Sequence, residues 1–237
     1  MTAAQPDALS SRVAAWPPEL RALVQLLRVA LGTAAAESFR WPVGVDSAAF
    51  GEIVTRHRVG AYLQHRLTGD VRAALPDPMR EQLTEMARRT ARLGLVRSAE
   101  LVRMARLFGD AGIPFLSVKG PLLAQALYGG VGVRHAGDLD LLIAPERLAD
   151  ADRTLREAGC RRSQPDFELT LRQWREYQRL KHEFEYFNDT TGVRIEVEET
   201  AEGAHGGRKG VIGGGRSELG AEALTSVPPR TLRWWRG

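Results

Sequence analysis

Residues 137–143 read Gly137-Asp138-Leu139-Asp140-Leu141-Leu142-Ile143. An acid pair opens a short apolar run, which predicts a buried strand with its polar end first. Side chains two apart in a strand project from the same face. Asp138 and Asp140 therefore aim both carboxylates at one point. Two adjacent carboxylates repel, which raises the pKa of one or recruits a cation. Hard oxygen ligands suit Mg²⁺ or Mn²⁺. A polar strand end facing solvent would share this pattern, so the flanking sequence has to decide.

Upstream, Ile113–Val118 reads as another short strand, and Leu122–Tyr128 as a helix with Pro121 in its first turn. Lys119-Gly120 falls between them. A helix N-terminus offers free N–H groups and a positive dipole to an anion. Gly120 lets a backbone approach closely, and Lys119 adds a point charge. Residues 129–137, GGVGVRHAG, form a glycine-rich loop carrying Arg134, which can pair with a carboxylate or bind phosphate.

Downstream, residues 146–158 predict a helix between Pro145 and Gly159. Residues 168–181 predict another. His182–Phe187 and Val193–Glu198 read as two strands around the turn Asn188-Asp189-Thr190-Thr191-Gly192. In the second strand Glu196 and Glu198 share one face, and Ile195 and Val197 the other. If that strand lies beside Asp138 and Asp140, either glutamate completes a three-carboxylate cluster. Such a cluster suits two metals about 3.5–4 Å apart that clamp an in-line displacement. The order β-α-β-α followed by a hairpin predicts an α+β chain with a small mixed sheet.

The flanks differ in texture. Residues 1–80 are rich in alanine, leucine and arginine, with Pro17-Pro18, Trp41-Pro42 and Pro76-Asp77-Pro78 as punctuation, and read as short helices. Residues 79–109 form the clearest helix, with Leu83, Met86, Leu93, Leu101, Met104 and Phe108 along one face and Gly112 as its stop. Residues 201–237 hold nine of the 24 glycines without apolar periodicity and read as a disordered tail. The expected organisation is a helical region over 1–110, an α/β core over 111–200 and the tail.

The 237-residue length allows a sizeable core, and the composition, 43% hydrophobic and 26% charged, is that of a globular protein. No apolar run reaches the roughly 18 residues of a membrane span, and MTAAQPDALSSR lacks the pattern of a secretory signal. The single cysteine, Cys160, forms no internal disulfide and suits a cytoplasmic location. The net charge is +4, carried by scattered arginines rather than a clear nucleic-acid groove. There is no Cys/His cluster for zinc and no Gly-x-Ser-x-Gly elbow of a serine hydrolase.

Residues 116–143, LSVKGPLLAQALYGGVGVRHAGDLDLLI, resemble the DNA polymerase β-like nucleotidyltransferase superfamily. The likeness is strongest to its bacterial branch labelled an uncharacterised nucleotidyltransferase family. Lys119-Gly120, Tyr128, Arg134, the Gly137–Leu142 acid motif and Gly159 match in order, followed by His182 and Glu196. The expected His-Trp after Glu196 is replaced by Glu198-Glu199, and the glycine-rich tail implies an atypical, shortened C-terminus. The resemblance implies that Asp138, Asp140 and Glu196 bind Mg²⁺ or Mn²⁺ and carry catalysis. It implies that Lys119, Gly120 and Arg134 lie near the phosphates of an NTP such as ATP. The implied reaction moves NMP to a hydroxyl of an unknown acceptor (small molecule, protein or RNA) with release of pyrophosphate. A catalytically degenerate nucleotide- or partner-binding protein is the alternative.

Overall fold

The computed structural model describes residues 13, 15–180 and 183–199. The predicted tail and His182 lie outside these residues. The chain divides into two compact units.

The first unit comprises residues up to Leu95 together with Ala124–His135. It contains helices α1 (Pro18–Ala30), α2 (Ser47–Arg56), α3 (Gly60–Arg66) and α4 (Gly69–Ala73), and the first part of α5 (Asp77–Asp110). Proline opens α1, where its missing N–H costs nothing. Asp46 caps α2 by accepting a hydrogen bond from the Ala49 amide at 2.8 Å. Leu23, Leu26, Phe50, Val54, Leu63, Met79 and Leu83 form the core of this unit, with Trp41 edge-on to Phe50 at 5.0 Å. The glycine-rich loop lies tightly on α5. A Cβ at Gly94 would fall 2.5 Å from the Val131 carbonyl oxygen, and one at Gly132 would fall 2.7 Å from the Ala91 Cα.

The second unit comprises Val96–Leu123 and the chain from Ala136 onward. Its strands are β1 (Phe115–Ser117), β2 (Leu139–Ile143), β3 (Cys160–Gln164), β4 (Glu183–Asn188) and β5 (Val193–Glu199). The sheet order is β1-β2-β5-β4-β3, so the last strand lies at the centre. β2 and β5 are parallel, and the other pairings are antiparallel. Helix α6 (Gly120–Tyr128) links β1 to β2, α7 (Leu148–Glu157) links β2 to β3, and α8 (Leu171–Leu180) links β3 to β4. The protein is therefore α+β with a mixed sheet, as the element order predicts.

One face of this sheet is core. Leu139, Leu141, Ile143, Phe184, Tyr186, Val193, Ile195 and Val197 are buried with Met104 and Phe108 of α5 and Leu155 of α7. Trp174 of α8 stacks on Phe184 at 4.8 Å. Strand alternation then sends Asp140, Glu183, Glu185, Glu196 and Glu198 to the opposite face.

Three elements depart from the sequence reading. The strand β3 was not expected, because Arg162 occupies one of its inward positions and erases the apolar alternation. Arg162 is accommodated there by Asp152 at 2.9 Å and the Pro165 carbonyl at 2.9 Å. The Tyr186 hydroxyl donates to the same Asp152 oxygen at 2.8 Å. The helix expected over 146–158 begins as a 3₁₀ turn (Pro145–Arg147), and α7 proper starts at Leu148. The helix expected over 168–181 starts only at Leu171, after Thr170 and Gln173 exchange hydrogen bonds in a capping box.

Candidate active site

Asp138 precedes β2 and Asp140 lies within it. The β2–β5 register sets Asp140 directly opposite Glu196. Carboxylate oxygens of Asp138, Asp140 and Glu196 all lie within 4.8 Å of one another. The two strands meet because their core faces share one apolar cluster, and parallel pairing then forces the acids together on the other face.

Electrostatics mark this site. Glu196 is pushed up to about 7, first by burial, then by the charge of Asp138 and a hydrogen bond with it, with Glu183 and Asp140 contributing. Asp140 is 1% exposed. Its Oδ1 accepts a hydrogen bond from Lys119 Nζ at 2.6 Å, and its Oδ2 is buried without a partner among the described residues. A buried carboxylate oxygen left unpaired is costly unless a cation satisfies it. Lys119 is held above the usual lysine range, chiefly by that hydrogen bond and by the charges of Asp140, Glu198 and Asp138.

Gly120 has φ +69°, a conformation that favours glycine, and a Cβ there would lie 3.4 Å from the Asp138 carbonyl oxygen. The turn that opens α6 thus lies near the backbone bearing the acid pair with room for a Cβ, and it is the positive φ that calls for glycine. Arg134 belongs to the first unit, in the loop packed on α5.

Sequence reasoning missed two features. Arg97 of α5 donates from Nε and Nη2 to the Gly137 carbonyl at 3.2 and 3.0 Å, which fixes the backbone just before Asp138. Burial lowers its pKa and Asp138 opposes that shift. Its distance along the chain left no signal. Glu183 and Glu185 were also missed: with Glu196 they form a second group of carboxylates within 4.8 Å. The hairpin register, which sets Glu185 opposite Glu196, would have revealed them.

Three carboxylates from adjacent strands, beside a lysine and a helix start, are the arrangement expected for phosphoryl chemistry. Residues 44–206 match the protein family described as an uncharacterised nucleotidyltransferase. The chain belongs to this nucleotidyltransferase family. No curated protein and no solved structure matches it. The nucleotidyltransferase match runs from just before α2 past the end of β5, so it includes most of the N-terminal helices as well as the sheet. The carboxylate cluster, Lys119 and Gly120 all fall inside it. Among the described residues of this nucleotidyltransferase no helix is long and apolar enough to cross a membrane.

Proposed function

We propose that the protein is a metal-dependent nucleotidyltransferase that moves NMP from an NTP, such as ATP, to a hydroxyl acceptor and releases pyrophosphate. The observation that carries this reading is the group formed by Asp138, Asp140 and Glu196, in which Asp140 Oδ2 is buried and unpaired. The three carboxylates fit a hard divalent cation, Mg²⁺ or Mn²⁺, through their oxygens. When bound, that cation would supply charge neutralisation for the phosphates.

The chain's own groups account for the rest. Lys119 and the first turn of α6 bind phosphate oxygens, and Gly120 supplies the positive φ with which that turn begins. Glu196, a carboxylate beside the other two acids, takes the proton of the acceptor hydroxyl. The acceptor oxygen then bonds to the α-phosphorus. The bond from that phosphorus to the α,β-bridging oxygen breaks, and pyrophosphate leaves with the electron pair. An NTP-dependent reaction and an unpaired cysteine both fit a cytoplasmic setting.

The test is calorimetric titration of the four NTPs with and without Mg²⁺ or Mn²⁺, on wild type and on Asp138→Ala/Asp140→Ala. Metal-dependent binding lost in the variant supports the site. Equal binding by both proteins overturns it. The sequence Glu198-Glu199, where the resemblance expects His-Trp, favours a second reading as a nucleotide-binding protein without turnover. Metal-dependent NTP binding with no pyrophosphate release across a panel of hydroxyl acceptors would select that reading.

A further inference from the structure

Two ion pairs of the second unit differ in a way that bears on function. Asp152 is fully engaged: Oδ1 accepts from Arg162 and Tyr186, and Oδ2 lies 3.6 Å from Arg156. The Arg162 side chain is 5% exposed, so this pair is locked into the core. Asp140 is only half engaged, with Lys119 on one oxygen and, among the described residues, no partner on the other. The Lys119 side chain is 54% exposed while that of Asp140 is 2% exposed. The cation of this pair therefore sits on a solvent-facing, flexible stem and reaches a carboxylate that cannot move to meet it. Lysine is a mobile point charge with three rotatable donors, unlike the planar fork of arginine. Lys119 also immediately precedes the start of α6, where anions are favoured.

The geometry points to Lys119 as a built-in counter-cation that exchanges partners during nucleotide binding. In the free protein its ammonium neutralises Asp140. When a divalent cation takes Asp140, Lys119 is released and moves to the phosphate chain arriving at α6. The inference rests on the metal-site reading above and extends it: Lys119 opposes metal binding in the free protein and favours phosphate binding in the loaded one. A lysine that only braces the fold would leave both affinities near their wild-type values, whereas a charge acting at the site opposes the cation and favours the anion.

The test is Mn²⁺ binding to the full chain, followed by electron paramagnetic resonance of free Mn²⁺, with inorganic tripolyphosphate titrated separately at saturating Mn²⁺. Wild type, Lys119→Met and Asp140→Asn are compared. Lys119→Met is expected to bind Mn²⁺ alone at least about fivefold more tightly than wild type, and tripolyphosphate at least about fivefold more weakly, the lower range of coupling between linked sites. Thermal melting in chelator confirms that each variant is folded at the titration temperature. Lys119→Gln, which also removes the charge, provides a second variant should Lys119→Met fail to fold, and is expected to shift both affinities in the same directions as Lys119→Met. Mn²⁺ binding that is indifferent to Lys119, or effects of the same sign on both ligands, overturns the partner exchange while leaving the metal site intact. Absence of Mn²⁺ binding in wild type and Lys119→Met alike overturns both. Loss of binding in Asp140→Asn supports Asp140 as the contested carboxylate, and unchanged binding there overturns the exchange.

Discussion

Asp140 and Glu196 face each other across the parallel pair β2–β5, each a carboxylate at the same register level. Like charges directly opposite each other weaken a sheet, and Asp140 is almost fully buried. A fold tolerates such a pair where charge is neutralised by a proton, a neighbouring cation or a bound ion. Glu196, with its raised pKa, provides the first, and Lys119 the second.

The two members of this pair are expected to fail differently when altered. Asp140→Asn should lose metal-dependent NTP binding itself. Glu196→Gln should weaken that binding only in part, since two of the three carboxylates remain, while pyrophosphate release at saturating metal and NTP falls about 10²–10⁴-fold, the usual contribution of a positioned general base. Calorimetry and a pyrophosphate assay separate the two effects. Equal loss of binding in both variants would remove the distinct role of Glu196.

Stability should carry the same signature. Glu196 titrates near 4.5 in the unfolded chain and near 7 in the folded one. Between these values the folded state holds a proton that the unfolded state has released. Stability therefore falls as pH rises through that window and levels off above it. In chelator, the melting temperature of wild type relative to Glu196→Gln should drop between pH 5 and pH 8. Saturating Mg²⁺ should reduce the drop, and a pH-independent difference would contradict the assignment.

Cys160 is buried in the core of the second unit. Burial raises its pKa, against the opposing effect of Arg103, whose Nη2 lies 3.1 Å from the sulfur. A thiol so placed is a poor nucleophile. A disulfide reagent should label the native protein slowly at pH 8, and quickly once urea unfolds it. Rapid labelling without denaturant would show that the edge of the sheet at β3 opens on its own.

Asp152→Ala would take from the buried Arg162 guanidinium its nearer anion, leaving only the exposed Glu168 at 4.0 Å, and would leave the Tyr186 hydroxyl without its acceptor. Breaking a buried pair in this way costs about 3–5 kcal/mol. Urea unfolding should show that loss, with Asp152→Asn less affected because its amide oxygen still accepts. A change below about 1 kcal/mol would mean that the network is solvated.

Much of the local structure was legible in the sequence. The strand read at 139–143 is β2, the helix read over 79–109 is α5, and the Asn188–Gly192 turn joins β4 to β5. Each is specified by short-range pattern: alternation, helical periodicity and turn chemistry. The acid pair Asp138 and Asp140 followed from the same period of two. The strand β3 was hidden because Arg162 stands where an apolar residue would signal burial, and its partner Asp152 lies on another element.

The sequence by itself determined the α+β class, the candidate carboxylates and the turn at Lys119-Gly120, since each depends on residues a few positions apart. Tertiary structure decided which glutamate joins the pair. Glu196 and Glu198 share a face, but only the β2–β5 register sets Glu196 opposite Asp140 and Glu198 opposite Leu142. It also decided that Lys119 rests on Asp140 and that Arg97 holds Gly137. Parallel pairing and helix-to-loop contacts join segments far apart in the chain, and they are fixed by how the apolar faces bury together rather than by any local spacing.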